Sequence, residues 1–545
     1  MYVKKLFRAI KDKLAQVKKP NWQDNLDISQ RQEQLKKVPL SPDLESNLGQ
    51  IEELTGASPD INIRRFAIAG NLPAAVIYVD GLCDESEIDS KLHTLMVETV
   101  KNENIAAVSE DTQAMLDSLI TAGETDTVDD LASVFKSVSA GESCLMLDGH
   151  STAMVCEMRG RESREITEPN TEVAIRGPRD GFVEDLRTNT AILRFRIRVP
   201  HLWFEEFEIG ELTQTSVGMG YIKGLVQNEL VDEVRSRLER IKTDSILESG
   251  YIEDFIQDQP FTPFPLVLRT ERPDRVAACL LEGRIAIITQ GSPFVLVVPA
   301  ELPMMLQAPD DYYETFPAGN FMRLIRFFGA LASLLLPGLY VAVINFHHAL
   351  LPTNLAMRIT AAREGIPFPV VVEVLLLEFL FELLREAGLR LPAPIGEAVS
   401  IVGALILGDA AIRAGLVSPA VVIVVALTAI ASFSMPIFSL GIALRILRFA
   451  LVGLGAVLGL FGIQFGLLLL LIHLCALRSF GVPYLAPMAP FIWPDMKDNL
   501  IRVWNWAMKD RPRFTGQREP VRTESGLKPG VDQPSPEDSK GGGQQ

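Results

Sequence analysis

Glu378 and Glu382 stand four residues apart in the otherwise apolar run 370–384. A helix through them puts both carboxylates on one face. At bilayer depth an ionised carboxylate costs ~3 kcal/mol unless it meets a partner or water. Such a pair therefore marks either an ion or proton path or a structural packing contact. Glu373 precedes Glu382 by nine residues, about 180° round an ideal helix, and is expected to face elsewhere. Asp409 and Arg413 are also four apart and can pair with each other. Glu397 follows Pro394 and can complement a helix N-terminus. Glu373, Glu378, Glu382, Glu397 and Asp409 are the candidates for an ion path, with the Glu378/Glu382 face the sharpest.

Signals for other chemistry are missing. The chain has no GxxxxGK[ST] loop, no HExxH and no GxSxG. Of six histidines only His347 and His348 adjoin, and adjacent residues leave a helix on different sides. They read as interfacial polar residues ending a span rather than a metal site. No catalytic residue, metal or cofactor is expected, and the chain is not expected to be an enzyme. The five cysteines show no CxxC spacing and read as free buried thiols in a reducing compartment. The segment Gly177-Pro178-Arg179-Asp180-Gly181-Phe182 has the glycines of a phosphate loop but lacks its lysine. Gly177, Pro178, Arg179 and Asp180 are instead expected to form a turn joining two lobes, with the connector that follows acting as a hinge or subunit contact.

The elements that must position these residues divide the chain in two. Residues 327–357, 414–444 and 449–477 contain no Asp, Glu, Lys or Arg, and each run exceeds the roughly 20 residues that cross a bilayer as a helix. With the apolar segments 370–384 and 396–415 they predict four to six membrane segments over residues 321–490. Arg323 and Arg326 flank the first span on the side of the front half, as the positive-inside rule expects. Reading Arg358/Arg363, Arg385/Arg390 and Arg445/Arg448 as three loop pairs admits no alternation that puts all of them inside. One segment is therefore expected to be re-entrant or broken, near Pro352, Pro367 and Pro369. Gly453, Gly455, Gly459, Gly462 and Gly466 permit close helix approach, within the fold or between subunits.

The chain has 545 residues and a net charge of −16. Residues 323–478 carry ten arginines against seven carboxylates, so the acid is concentrated in the front half. That excess argues against a nucleic-acid partner. The front half alternates strands and helices: 61–68, 74–79, 143–147 and 153–158 are strand-like, and 86–98 and 128–138 helical, the latter with Thr127 and Asp130 as a capping box. Ile77–Leu82 lies 143 residues before Gly220–Leu225, and Leu145–Gly149 lies 142 before Ile287–Gly291. In both cases a strand runs into a glycine turn, which points to a duplicated fold. The expected architecture is an α/β soluble region of two similar lobes followed by an all-α polytopic transmembrane domain. A basic amphipathic arm occupies 1–40, the first lobe 41–170, the second 171–320, the transmembrane domain 321–490 and a polar, largely disordered tail 491–545. The arm, with Val3, Leu6, Ile10, Leu14 and Val17 at helical spacing, reads either as a contact to anionic lipid or as a solvated arm. Lacking a leader, the front half is expected to stay cytoplasmic.

Several segments together resemble the A subunit of GerA-family spore germination receptors (GerAA/SpoVAF-like). They are Gly177–Glu184, Leu186–Asn189, Leu247–Tyr251, Pro263–Pro265, Thr270–Asp274, Glu282–Arg284, Gly291–Pro293, Tyr312–Glu314 and Ser479–Leu485, in that order, within residues 42–490. The resemblance implies a multi-pass protein of the spore inner membrane, working with a transporter-like B subunit that carries the nutrient site and a lipoprotein C subunit. It further implies homo-oligomerisation into a ligand-gated cation channel that triggers germination, and it brings no catalytic residues. A small-solute or ion transporter and a non-conducting scaffold are the alternatives. A repeat visible only in the soluble half favours the channel over a carrier built on inverted repeats.

Overall fold

The computed structural model describes residues 38–68, 72–90, 125–156, 168–169, 171–172, 174–390, 408–516, 520–523 and 528–529. Most of the basic arm, most of the expected helix 86–98, and Glu397 lie outside them.

The first sheet consists of β1 (Ile61–Ile68), β2 (Leu72–Val79), β3 (Thr125–Val128), β4 (Ser143–Leu147) and β5 (Ala153–Cys156). All its pairings are antiparallel, in the order β1-β2-β4-β5-β3. Alternation along β2 serves both faces. Ala75, Ile77 and Val79 pack with α1 (Leu44–Thr55) and α2 (Leu131–Ser139), while Ala74, Val76 and Tyr78 enter a second core on the other side. Asp130 is itself the N-cap of α2, accepting from the Ser133 amide at 2.8 Å. Thr127, expected in a capping box, lies in β3, where it pairs with Met154.

After α3 (Leu186–Arg196) comes the second sheet: β6 (Leu202–Ile209), β7 (Thr215–Ile222), β8 (Leu268–Thr270), β9 (Ile285–Thr289) and β10 (Val295–Val298). Its order, β6-β7-β9-β10-β8, repeats the first, again with antiparallel pairings throughout. β7 begins 143 residues after β2, and β9 142 residues after β4. Val217, Met219 and Tyr221 face α4 (Asn228–Glu239) and α5 (Ser249–Ile256). On the other face, a Cβ on Gly220 would come 2.6 Å from the Phe204 ring and one on Gly218 3.0 Å from Leu186, so glycine lets that ring and α3 lie close to the sheet.

The lobes dock through a buried ion pair, Arg194 of α3 with Asp60, 2% and 0% exposed. The Arg194 Nη2 also donates to Ser58 at 3.1 Å, and the Trp203 indole donates to the Leu54 carbonyl at 3.0 Å. α6 (Pro273–Leu280) and two short helical turns, Leu302–Leu306 and Asp310–Tyr313, lead to the helical region.

That region comprises α7 (Phe316–Phe346), α8 (Thr353–Ala362), α9 (Val370–Arg390), α10 (Pro419–Phe433) and α11 (Phe438–Ala476). By length and composition α7 and α11 can cross a membrane. α11 is broken at Gly459, whose φ 63° and ψ −144° suit only glycine. The two halves fold back on each other: a Cβ on Gly466 would meet Leu451 at 2.6 Å and Leu454 at 2.8 Å, and one on Gly455 would meet Ile463 at 3.1 Å. Gly338 lies against Leu451, and Phe346 and His347 against Gly459, so the first half of α11 runs beside α7 and turns at its far end. The second half returns to the second lobe, where His473 bonds Thr262 at 3.0 Å. One core continues from Phe204, Ala286 and Ile288 of the second sheet into Leu334 of α7 and Leu440, Leu451 and Ile463 of α11.

Sequence and structure part company here. The chain breaks at Gly459, inside an uncharged run, whereas Pro352 and Pro367 flank the exposed helix α8. The uncharged run 414–444 is itself interrupted by a turn between α10 and α11. Arg385, Arg445 and Arg448, read as loop residues, lie within α9 and α11 and so are not loop charges, while Arg358 and Arg363 stay beyond the far end of α7. The part of the expected disordered tail from 491 to 516 packs on the second lobe: the Phe514 carbonyl accepts from Gln227 at 2.7 Å, and Arg511 donates to the Leu281 carbonyl at 3.0 Å. Its polar composition concealed this because the contacts run through polar groups, backbone carbonyls and the Asp498 carboxylate.

Gly459→Ala forces a Cβ to 2.9 Å from the His347 ring on a backbone only glycine tolerates. It is expected to reduce the yield of monodisperse full-length protein in detergent severalfold, with Gly453→Ala, whose Cβ would meet nothing within 4 Å, as the neutral control.

Candidate functional site

Two charged assemblies stand out, one where the lobes meet the helices and one within the helices.

At the junction Asp311 is fully buried and accepts from Arg323 Nε at 3.1 Å and from Arg326. Arg323 Nη1 also donates to Asp498 Oδ1 at 2.9 Å and to the Asn499 carbonyl at 3.1 Å. The Tyr312 hydroxyl donates to Asp498 at 2.7 Å, and Arg502 donates to the Asp311 carbonyl. A Cβ on Gly319 would come 2.5 Å from that carbonyl, so glycine lets the first turn of α7 press against it. Helix, lobe and tail thus share one buried network. Beside it a cavity of about 570 Å³ is lined by Glu282, Arg284, Glu301, Tyr312, Asp498 and Arg522, among others. Burial pushes the Glu282 carboxyl up, opposed by Arg284 and Arg522.

The interlobe motif abuts this junction. Gly177, φ 132°, lies against Tyr313, whose ring a Cβ would meet at 2.7 Å. The Pro178 carbonyl accepts from Arg272 at 3.2 Å, and both Asp180 oxygens accept from Arg196 Nη2 at 2.5 Å. Arg179 is exposed, 3.8 Å from Glu168. Arg272 and the Tyr313 hydroxyl both donate to Asp274. Burial disfavours the Asp274 anion, yet these two donors outweigh it and hold the carboxyl below its ordinary value.

Within the helices the structure brings Glu378 and Glu382 together with three arginines. Glu378 lies 2.8 Å from Arg448 Nη2, both side chains within 2% of full burial. Glu382 lies 3.1 Å from the same Nη2, 2.7 Å from Arg445 and 3.8 Å from Arg385. Arg385 also donates to Ser432 at 2.8 Å and stacks on Phe381 and Phe433. The cluster holds three cations against two anions. Among the described residues the Nε and Nη1 of Arg448, the Nε of Arg385 and both carboxylate oxygens of Glu378 have no hydrogen-bond partner. Rising numbers in α9 meet falling numbers in α11, so the two helices are antiparallel where the cluster clamps them.

Glu373 faces elsewhere: it pairs with Arg363 at 3.2 Å and accepts from the Ser418 amide at 2.8 Å, capping α10. Asp409 and Arg413 pair at 2.8 Å on the surface. Sequence reasoning placed the two carboxylates on one face but missed their partners, because a residue 66 positions away leaves no local pattern. Asp311 and Asp498 were missed as well. The nearest signal was Asp310-Asp311 shortly before Arg323 and Arg326.

Comparison with known proteins follows the same span. The family model described as "Bacillus/Clostridium GerA spore germination protein" matches residues 49–514. The chain is 43% identical to spore germination protein KA of Bacillus subtilis over 94% of its own length and 93% of the relative's. It is also 43% identical to the B. subtilis membrane protein YfkQ, covering 88% of the chain and 93% of the relative. Against the crystal structure of the N-terminal domain of the A subunit of the Bacillus megaterium spore germinant receptor GerK3 it is 36% identical, with a TM-score of 0.39, covering 48% of the chain and 97% of that domain.

Two measurements check the site geometry. Glu378→Gln leaves Arg448 with one carboxylate and is expected to cost about 3 kcal/mol in detergent-solubilised thermal unfolding, with much of the loss recovered in Glu378→Gln/Arg448→Met. Because the folded Asp274 carboxyl lies below its ordinary 3.8, its contribution is present above that pH and lost as pH falls through the folded value. Tyr313→Phe should therefore cost about 2 kcal/mol at pH 6, and the difference from wild type should shrink below pH 3.8.

Proposed function

The chain belongs to the GerA family of spore germination proteins, and from that premise we propose that it is a membrane subunit of a nutrient germinant receptor. In this reading it crosses the spore inner membrane several times, with the lobes in the cytoplasm. Copies of the chain assemble into a ligand-gated cation channel that works with transporter-like B and lipoprotein C subunits.

The observation that carries the proposal is the shared network at Asp311. A change in the second lobe or the tail reaches α7 through Asp311, Arg323 and Asp498 without a flexible linker. A ligand or partner gates by binding one arrangement of this junction better than the other. A membrane setting is supported by the length of α7, by the apolar composition of both halves of α11 and by the exposed Phe328, Ile430, Phe461 and Leu468, which need lipid or neighbouring subunits around them. A relative named a membrane protein supports it as well.

We place the gate at Glu378 and Glu382. The arginines hold both carboxylates in the closed arrangement. Opening releases Glu382, the more accessible at 24% against 2%, toward passing cations. A carrier would instead need an unwound segment at the midplane. The Gly459 break lies at the far end of α7, beside Phe346 and His347, which disfavours that alternative.

Reconstitution in liposomes, alone and with B and C subunits, tests this. Wild type should pass monovalent cations on nutrient addition. Glu378→Gln/Glu382→Gln should leak without nutrient while its single-channel conductance falls about twofold or more, because the clamp and the path charge are lost together. A nutrient-evoked current unchanged by the double substitution removes the gate assignment. No current in any combination favours a scaffold, and saturable solute uptake by this chain alone favours a carrier.

A further inference from the structure

The charge cluster opens sideways. Beside Glu382 lies a recess of about 440 Å³ lined by Arg385, Glu386, Arg445, Phe438, Ile442 and Ile446, among others. Its polar wall is guanidinium and carboxylate, and its apolar wall is aliphatic and aromatic. Glu386 is matched by Arg390 at 2.6 Å, so it adds no net charge. Among the described residues Glu382 is shared by Arg385, Arg445 and Arg448, and Glu378 pairs with Arg448. One positive charge is left over, in a setting where an unmatched cation is costly. Arg385, only 11% exposed, keeps an Nε without a partner among the described residues.

The position of the recess matters as much as its charge. Arg445 lies seven residues after the start of α11, about 10 Å from that lobe-side helix end, and Arg385 is beside it, both facing Glu382 at 2.7 and 3.8 Å. That is the depth at which an arginine reaches lipid headgroups while its stem stays among acyl chains. Phe438, Ile442 and Ile446, the last two exposed by 36% and 57%, form a wall suited to an acyl chain. The wall carries two arginines and two glutamates, and with Arg448 behind it the cluster holds the surplus positive charge that suits an anionic headgroup at this depth.

We propose that the recess between α9 and α11 binds an anionic phospholipid, whose phosphate completes the Glu378/Glu382/Arg385/Arg445/Arg448 cluster and whose acyl chain covers Ile442 and Ile446. This rests on the helices lying in a membrane, as in the function proposed above. The lipid neutralises the surplus charge and so holds the α9–α11 clamp closed.

The test is native mass spectrometry of the full chain in detergent, supplied with equimolar phosphatidylglycerol and phosphatidylcholine. Wild type should retain phosphatidylglycerol about tenfold over phosphatidylcholine, the order expected for one or two arginines facing an anionic headgroup. Arg385→Gln should bring the ratio near one, and Arg385→Lys should keep most of the preference. Ile442→Trp, which fills the recess without altering a charge, should also abolish it, so the result does not depend on one variant. Equal retention of the two lipids by wild type, or a preference unchanged in both Arg385→Gln and Ile442→Trp, overturns the lipid site and leaves the membrane reading intact. A chain that is monodisperse without detergent and retains neither lipid overturns both. Displacement of the lipid by soluble glycerol phosphate at equal concentration would make the occupant a free phosphate and overturn the lipid assignment.

Discussion

Asp311 is a carboxylate with no access to solvent, and a buried charge survives only with its partners in place. Its partners come from the first turns of α7, and Arg323 in turn holds Asp498 of the tail. Lobe, helix and tail therefore cannot separate without stranding a charge. The continuous core from Phe204 and Ile288 to Leu451 and Ile463 extends the same constraint in apolar form. The second lobe and the helices act as one body at this seam, and the first lobe joins it through a second buried pair, Asp60 with Arg194.

The same rule governs the helical region. Arg448 is 1% exposed and lies between Glu378 and Glu382, which fixes the register of α9 against α11. Gly459 then lets α11 reverse and return to the lobe, and Gly338, Gly455 and Gly466 allow the close contacts that hold the reversal. The glycines serve packing within the chain, and the arginines that resemble loop charges serve burial. Both features bring charged and polar groups together where the second lobe can influence them through α7. That is the physical basis for coupling the soluble region to the proposed gate.

Much of this was legible before any coordinates. Short apolar runs ending in glycine turns marked the strands, and the 142–143-residue offsets pointed to a duplicated fold, because strand patterns and glycine turns are local signals. The face shared by Glu378 and Glu382 was legible for the same reason, since helical periodicity alone decides it. What could not be read was every long-range partner: Arg445 and Arg448 for those glutamates, Asp498 for Arg323, Gln227 for the tail. Charge near an apolar run reads as a loop because composition cannot tell a solvated arginine from one paired across 66 residues.

The sequence by itself determined the elements, their repetition, the apolar runs and the family, because each depends on residue type at short spacing. Tertiary structure alone decided which charges are neutralised, where α11 turns back and that residues 491–516 are bound, because those outcomes depend on which distant groups can share a volume without water.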